Sequence, residues 1–512
     1  MKLRGAVLGG FAALLSACGT AAMPPAGTDP DTQAWWKITG ELSSGAMEGR
    51  DTGSSGYDRA AKYVAARFEK AGLKPAGERG TWFQTLPINE VRVEKDGTRF
   101  EIVGASAATD LKFLHQISVR ATGDLPAAID APLSFRGYCS AAEMGPDMRG
   151  KVAVCFGGRR RGVPGGADRL RAAADAGAVG LIAVDDPGFT IEPARWPDAY
   201  ARSLSLRGAA PIASPQLAVM RLSPEAFVTV LAGSGHAAKD ILDAGAASKP
   251  LQAFDIPNRL RASFRVSRRE LASDNVLGLL PGTDPTLSPE VVVVAAHLDG
   301  YGFGEAVGGD TLYNGAFDDA AYVATLIRLA EQRQGKGFRR SVLFAAFTGE
   351  EKGLLGATWF TQHPTVPRAN LAANINLDQL RPLFPLKILT MHAIDDSTLG
   401  AAAKGIAASM GIEIRPDLEP ERNLNSRADH YPFLRIGVPA TGFVFGFEPG
   451  TEAERRYREW YQVRYHRPQD DMTQPLDFKA AADMNTFFYR LTETVANADQ
   501  RPAILPGSPF RQ

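Results

Sequence analysis

The feature that most constrains the fold is an alternation of apolar runs and helical stretches in the second half of the chain. Helical patterns occupy residues 319–333, 398–410 and 480–496. Such an alternation is typical of a parallel sheet whose two faces are both covered by helices. We therefore predict an α/β fold with a mostly parallel sheet flanked by helices. The runs with the character of buried strands are residues 291–296 (VVVVAA), 341–347 (SVLFAAF), 372–377 (AANINL), 386–391 (LKILTM) and 440–445 (ATGFVF).

The first half of the chain begins with one clear amphipathic helix. The helix is predicted to start after an N-cap at Ser54 or Ser55. Its apolar positions, which include Tyr57, Val64 and Phe68, recur at helical spacing on one face. We expect it to be a packing helix of the main domain.

The chain has 512 residues, too many for one ordinary compact core. A change in local composition and in the frequency of turns divides it. Residues 111–264 contain short apolar runs, an alanine-rich helix at 168–176 and many Gly and Pro turns. We interpret this segment as a small β-rich domain inserted into the chain. The main domain would then combine residues 34–110 and 265–512.

The N-terminus has the pattern of an export signal. Lys2 and Arg4 precede an apolar run too short to span a bilayer, and the sequence LSAC ends at Cys18. This pattern resembles a bacterial lipoprotein signal, so we expect residues 1–17 to be removed and Cys18 to be lipidated. Residues 18–33, rich in Ala, Pro and Gly, are predicted to be a flexible tether. The protein would be exported and lipid-anchored in the cell envelope, at the outer membrane facing the periplasm or the exterior.

The overall charge gives no reason to expect a highly charged partner. Lys plus Arg number 57 and Asp plus Glu number 57, so neither nucleic acid nor an anionic membrane surface is favoured. The lipid anchor would be the sole membrane contact, and any ligand must be recognised by a local site.

Two cysteines remain apart from Cys18. An oxidising exported compartment would allow Cys139 and Cys155 to pair. Two buried free thiols would look the same in sequence, so both states stay open. Neither cysteine has a second Cys or His at ligand spacing, which excludes a metal site there.

Polar side chains follow three of the predicted strands, at the point where each strand ends. Because parallel strands present their carboxyl ends at one sheet edge, we expect these side chains to lie close together. Between the first two strands, Asp318 and Asp319 stand directly before a helix, where free amides and the helix dipole stabilise negative charge. The residues at the strand ends are His297, Asp299, Glu350, Glu351 and Asp378.

A gathering of carboxylates at one edge has a chemical consequence. Any one of them alone is well explained as a solvated loop residue. Gathered like charges raise one another's pKa and cost stability unless a cation neutralises them. Histidine with carboxylates and no cysteine suits zinc with a position open for water. The adjacent Glu350 and Glu351 diverge in an extended segment, so one can bind metal while the other faces water.

Of the seven histidines, few are candidates for a second imidazole ligand. His115, His236 and His363 have no acidic neighbours in sequence and are expected to be structural or surface residues. His392 ends a strand and is ambiguous. The better candidates are His430, in ADHYPF, and His466, in RYHRPQDD. Spacing does not choose between these two.

The ordered set of motifs resembles the co-catalytic zinc aminopeptidases, family 28 of the metallopeptidases, whose relatives include glutamate carboxypeptidase II, glutaminyl cyclases and the transferrin receptor. The insert, with MRGKVAVC and RAAADAGAVGLIAV, is similar to the protease-associated domain of some members. The resemblance covers the first ordered segment and nearly all of the second half. Its motifs are MEGRDTGSSGYDRAAKYVAARFEKAGLKP, AHLDG, YNGAFDDA, SVLFAAFTGEEKGLLG, NINLDQL, ADHYPF and YHRPQDD.

This resemblance implies a role for each residue of the site. His297 and Asp378 would bind one zinc ion, Glu351 and His466 a second, and Asp318 would bridge the two. Glu350 would be the general base. Asp299 would orient His297, and His430 would keep a pocket or structural role. The implied activity is aminopeptidase hydrolysis of peptides with two zinc ions per chain.

The sequence also departs from the family pattern near the bridging aspartate. Phe317 replaces the usual acidic residue, Ala321 and Tyr322 replace small residues, and Gln379 replaces an apolar one. No ligand is lost, so we expect metal binding with an altered substrate pocket. A glutaminyl cyclase or carboxypeptidase on the same framework is the alternative activity, and a non-catalytic binding protein is the alternative from another class.

Overall fold

The computed structural model describes residues 21–158, 160–188, 195–208 and 217–511. The predicted signal peptide and Cys18 lie outside these residues. Among the described residues, no helix combines the length and the apolar composition needed to cross a bilayer.

Eleven α-helices are present in the described residues. Three of them correspond to the predictions of the second half, at Ala321–Gln332, Leu399–Ser409 and Phe478–Asn497. The predicted first helix is confirmed at Ser55–Lys70, and its N-cap is Ser54, whose side chain accepts a hydrogen bond from the Tyr57 N–H. The others are Pro30–Leu42, Gly166–Asp175, Phe227–Val230, Ala238–Ala246, Leu355–Gln362, Tyr431–Arg435 and Glu452–Val463.

The main domain is built on an eight-stranded sheet, which confirms the α/β prediction. Its first four strands run parallel, and the other four pair antiparallel. Parallel order is therefore confined to the strands that carry the predicted site, and the sheet is mixed rather than mostly parallel as predicted. In spatial order the strands are Ala440–Thr441, Leu371–Asn376, Val291–His297, Ser341–Phe347, Val266–Leu280, Phe83–Val93 and Arg202–Leu206, with Lys74–Pro75 beside Val266–Leu280.

Both faces of this sheet are covered, as the near-continuous apolar strands predict. In strand Val291–His297 the alternate side chains Val292 and Val294 join one buried core with helix Ser55–Lys70. Val291 and Val293 join a second core with helix Tyr431–Arg435 on the opposite face. Burial on two faces fixes the strand register, because a slip of one residue would exchange the two sets of side chains.

Two of the predicted strands differ from the prediction: one lies in another sheet, and the other is divided between two sheets. Ile388–Met391 lies in a separate three-stranded sheet with Glu413–Arg415 and Phe443–Phe445. The predicted strand 440–445 is divided at Gly442, so its first two residues stay in the main sheet. A further hairpin pairs Gly302–Val307 with Asp310–Tyr313.

A second eight-stranded sheet forms the core of the insert. The predicted start at residue 111 was too late, because Arg99–Val103 already pairs with Phe254–Ser263 and buries Phe100 and Ile102 in the insert core. In spatial order the strands are Ala108–Leu111, Arg99–Val103, Phe254–Ser263, Ala128–Phe135, Val152–Phe156, Gly180–Val184, Ala218–Leu222 and Ile117–Val119.

One segment within the predicted insert returns to the main domain. Strand Arg202–Leu206 pairs with Phe83–Val93 at the edge of the main sheet. Immediately before it, a 3₁₀ turn spans Asp198–Ala201. We call residues 195–206 the insert arm.

The predicted tether is shorter than expected. Helix Pro30–Leu42 begins within it, and Ala22 is already held by two hydrogen bonds. The Ala22 N–H donates to the Met472 carbonyl at 2.7 Å, and the Trp36 indole N–H donates to the Ala22 carbonyl at 2.7 Å. The described part of the tether therefore packs on the main domain near residue 22.

Cys139 and Cys155 are both buried free thiols in this structure. They pack in one small apolar cluster of the insert. Of the two states left open by the sequence, the structure shows the unpaired one.

Candidate metal centre

The parallel strands bring three sets of side chains to one edge of the main sheet. His297 is the last residue of its strand and pairs in register with Phe347. The chain then turns at Gly349, whose φ of 70° belongs to the left-handed region, and presents Glu350 and Glu351. Asp378 follows the neighbouring strand Leu371–Asn376.

Asp318 reaches this edge from an irregular turn at Ala316–Ala320, in which the backbone of Asp318 and Asp319 is not helical. The Asp470 carboxylate fixes the turn, because it accepts the N–H groups of Phe317 and Asp318, each at 3.0 Å. Asp319 accepts the His297 N–H at 3.0 Å and so joins the turn to the end of the strand.

Two groups of potential metal ligands share Asp318. One consists of His297, Asp318 and Asp378, and the other of Asp318, Glu351 and His466. Within each group the ligand atoms lie within 4.8 Å of one another. The structure thus brings all five predicted ligands together, and His430 belongs to neither group.

The two oxygens of Asp318 face different histidines. Oδ1 lies 3.4 Å from His297 Nε2, and Oδ2 lies 3.4 Å from His466 Nε2. Glu351 Oε2 lies 3.5 Å from the same His466 nitrogen. Two atoms that each lie about 2.0–2.1 Å from one zinc ion at a tetrahedral angle are about 3.4 Å apart. The observed separations therefore fit a zinc ion on each side of Asp318.

Buried polar atoms at the centre also require a partner. Asp318 Oδ2 and Glu351 Oε1 are buried and accept no hydrogen bond from the described residues. A buried carboxylate oxygen without a hydrogen bond or a cation costs stability. Bound cations would compensate both atoms.

The electrostatics of the site point in the same direction. Burial raises the pKa of Glu351 to about 7, and repulsion from Asp318 adds to the rise. Burial also raises the pKa of Glu350 well above its usual range, with Asp378 and Glu351 contributing. Asp318 is the exception: burial alone would raise its pKa, but the adjacent His297 and His466 side chains, together with Arg381, hold it well below the usual range. Without a cation, the carboxylates would repel one another.

Asp299 lies behind His297, as expected of a residue that orients a ligand. His297 Nδ1 contacts the Asp299 carbonyl at 3.1 Å, and the Asp299 carboxylate lies 3.7 Å away. The carboxylate also accepts the Glu350 N–H at 3.1 Å and the Thr52 hydroxyl at 3.0 Å. One buried residue thus connects His297 to the turn that carries the paired glutamates.

Glu350 lies close to the centre and belongs to neither group that contains Asp318, although a third group of potential ligands joins it with His297 and Glu351. Its Oε2 is 4.0 Å from His297 Nε2. This is the position expected of a proton acceptor beside the metals.

The other histidines lie elsewhere, with one correction. His115 was predicted to have no acidic neighbour, but its Nε2 contacts Glu305 at 2.5 Å. Glu305 is distant in sequence, so the pairing left no local signal. His392 and His430 stack at 5.5 Å, and burial lowers the pKa of both. His430 Nε2 also contacts Asn425, which supports its structural role.

Sequence reasoning missed several residues that touch the centre. The Tyr301 hydroxyl donates to Glu351 at 2.7 Å, and the Tyr200 hydroxyl contacts His466 Nδ1 at 2.7 Å. Arg381 is fully buried, with one guanidinium nitrogen 3.7 Å from Asp318. Arg381 follows Asp378 closely enough to have been noticed, whereas Tyr200 lies in the insert and gave no signal.

One family model matches the part of the chain that contains the centre. Residues 275–492 match the model of peptidase family M28. All seven predicted site residues lie within the matched segment. The match therefore covers the parallel strands and the loops that build the centre.

Curated relatives each match less than half of the chain. A probable zinc metalloprotease of Pyrenophora tritici-repentis is 30% identical over 225 residues, 38% of this chain and 49% of that protein. Aminopeptidase YwaD of Bacillus subtilis is 23% identical over 204 residues, 39% of this chain and 40% of that protein. The chain spans less than half the length of these relatives.

Solved structures match the fold over nearly the whole chain. An aminopeptidase from Aneurinibacillus sp. strain AM-1 superposes with a TM-score of 0.60 at 17% identity, covering 94% of this chain and 96% of that one. BSAP, a zinc aminopeptidase from Bacillus subtilis, gives a TM-score of 0.58 at 16% identity, covering 94% and 98%. Both likenesses include the insert as well as the main domain.

Proposed function

We propose that this protein is a zinc-dependent aminopeptidase that removes N-terminal residues from peptides. The observation that carries the proposal is the position of Asp318, whose two oxygens face His297 and His466 at equal distances of 3.4 Å. A carboxylate shared in this way is suited to bridging two zinc ions. The match to peptidase family M28 and the curated zinc metalloprotease and aminopeptidase relatives support the same activity.

In this proposal each residue has a separate task. His297 and Asp378 would hold one zinc ion, Glu351 and His466 would hold the other, and Asp318 would contribute to both. Bound zinc ions would lower the pKa of a water molecule and polarise the scissile carbonyl.

Glu350 is the residue proposed to move the proton. It would accept a proton from the attacking water and release it to the nitrogen of the leaving amine. Without metal, burial raises the pKa of Glu350 well above its usual range; adjacent zinc ions would lower this pKa, so that the carboxylate could accept the proton. Asp299 would hold the His297 ring so that Nε2 faces the metal.

The adjacent glutamates provide a matched pair of test variants. Glu350→Gln should retain two zinc ions per chain and lose about 10²–10⁴-fold in kcat, which is the usual contribution of a general base. Glu351→Gln should lose zinc from the second position. The assay is release of the N-terminal residue from a panel of dipeptides, with metal analysis of the same samples.

The result separates the competing activities. Near-normal turnover by Glu350→Gln would refute the assignment of the base. Wild-type protein with one zinc ion and cyclisation of N-terminal glutamine would favour a glutaminyl cyclase. Zinc-loaded protein that releases C-terminal residues would favour a carboxypeptidase, and a protein without zinc or hydrolysis would favour a binding function.

We further propose that the protein is an exported lipoprotein anchored through Cys18, with an insert of the protease-associated type. The proposal rests on the signal-like N-terminus and on the separate β-sheet of the insert. Cys18→Ser should move the protein from the membrane fraction to the soluble fraction. Unchanged membrane association of this variant would contradict anchoring at that residue.

A further inference from the structure

We propose that Tyr200, carried by the insert arm, is a positioning residue of the second metal position. This inference rests on the proposed function, since it concerns the zinc ion held by Glu351 and His466. The insert would then be part of the metal centre rather than only a cover over it.

The two ring nitrogens of His466 face different partners. Its Nε2 faces Asp318 and Glu351 at 3.4 and 3.5 Å, and its Nδ1 lies 2.7 Å from the Tyr200 hydroxyl oxygen. Nε2 must offer a lone pair to bind metal, so the ring proton belongs on Nδ1. That N–H donates to the Tyr200 oxygen. Tyr200 thereby selects both the tautomer and the orientation of the ligand ring.

A second tyrosine, Tyr301, contacts Glu351, the other ligand of the second position. Tyr301 donates its hydroxyl hydrogen to Glu351 Oε2 at 2.7 Å. The Tyr301 ring lies 5.4 Å from the Tyr200 ring and 4.4 Å from the His466 ring. The two tyrosines therefore form one packed layer behind the two ligands that belong only to the second position.

The insert arm is attached to the main domain on both sides of Tyr200. Arg202, 5% exposed, forms an ion pair with Glu90 at 2.6 Å and another with Asp51. The Arg195 guanidinium donates to the Ala306 carbonyl at 2.8 Å. These contacts lie on either side of Tyr200 in the chain. The backbone is therefore held on both sides of Tyr200, so the Tyr200 side chain can fix the orientation of the His466 ring.

The inference predicts a selective loss of metal. Tyr200→Phe removes one oxygen and leaves the ring in place. Loss of a hydrogen-bond partner of a metal-binding histidine lowers metal affinity by about 10–100-fold. The second position should weaken by this factor, whereas the first position, with His297 and Asp378, should change less than about twofold.

The chain offers a matched control in Tyr313. Its hydroxyl donates to the Glu305 carbonyl at 2.8 Å, it is 2% exposed, and it packs in the same cluster as Tyr301. It touches no predicted ligand. Tyr313→Phe therefore removes a buried hydroxyl from the same neighbourhood without touching the metal centre.

The experiment is a zinc titration of the full chain in competition with a chromophoric chelator, for wild type, Tyr200→Phe and Tyr313→Phe. Two affinities are expected for wild type and for Tyr313→Phe, and in Tyr200→Phe alone one of the two should be weakened about 10–100-fold while the other is unchanged. Equal affinities in wild type and Tyr200→Phe, or a similar loss in both tyrosine variants, would overturn the inference. Thermal melts of the zinc-free proteins should coincide, and a lower melting temperature for zinc-free Tyr200→Phe alone would assign the residue a packing role instead.

The titration distinguishes this inference from the proposed function, because it uses no peptide. Wild-type protein that binds two zinc ions but cleaves no peptide would refute the aminopeptidase proposal and leave the Tyr200 comparison intact. Wild-type protein that binds fewer than two zinc ions would refute both.

Discussion

The paired glutamates lead to a prediction about stability in the absence of metal. Glu351 is buried beside Asp318, and its pKa is raised from 4.5 to about 7. Between these pH values the folded protein binds more protons than the unfolded chain. Stability of the metal-free protein therefore falls as pH rises through this window. Glu351→Gln removes the ionisable group and should remove this contribution.

The size of the effect follows from the pKa difference. The interval from 4.5 to about 7, at about 1.36 kcal/mol per pKa unit, amounts to about 3 kcal/mol. At pH 8 the metal-free Glu351→Gln protein should therefore be about 3 kcal/mol more stable than metal-free wild type. At pH 5, where folded Glu351 is already protonated, the gain should shrink to below about 1 kcal/mol.

Urea unfolding of chelator-treated protein at pH 5 and pH 8 measures this difference. Glu305→Gln is a control of opposite sign. Burial would raise the pKa of Glu305, but hydrogen bonds with Lys95 and His115 outweigh it and hold the pKa below its usual value. A Glu351→Gln protein that is less stable than wild type at pH 8, or equally affected at both pH values, would refute the electrostatic reasoning.

Three further predictions concern the surroundings of the centre. Asp299→Asn should lower zinc affinity by about 10–100-fold by releasing His297, as measured by chelator competition; unchanged affinity would exclude an orienting role. Arg202→Met should destabilise the fold by about 1.5–3 kcal/mol in urea unfolding, because it removes the ion pair of Arg202 with buried Glu90, which keeps its hydrogen bond from Arg269; a loss below about 0.5 kcal/mol would contradict this. Two thiols of the insert should react with a thiol reagent only after unfolding, and a reductant should not change their number.

Strand-end residues were predictable because their positions depend on local patterns. The apolar run before His297 is long enough to define a buried parallel strand, and the same holds for the runs before Glu350 and Asp378. Once three parallel strands are inferred, their carboxyl ends must meet at one edge. No contact between residues far apart in the sequence has to be known to reach this conclusion.

Residues on loops and in the insert were not predictable in the same way. His430 and His466 both follow polar loop segments, and nothing local shows that one stacks on His392 while the other faces Asp318. The Tyr200 contact joins residues 266 positions apart. Such pairings depend on how two sheets pack, which apolar periodicity does not specify.

The insert boundary failed for a related reason. Residues 99–103 have the alternating pattern of an ordinary strand and could pair in either sheet. Their partner, Phe254–Ser263, lies at the far end of the insert. We predicted the boundary from the point in the sequence where Gly and Pro turns become frequent. The strand pairing shows that the insert begins earlier.

The central claim, two zinc ions bridged by Asp318, is tested most directly by anomalous scattering at the zinc absorption edge from crystals of zinc-loaded protein. We predict two peaks about 3.5–4 Å apart, one beside His297 and Asp378 and the other beside Glu351 and His466. A single peak, or peaks that do not flank Asp318, would contradict the claim.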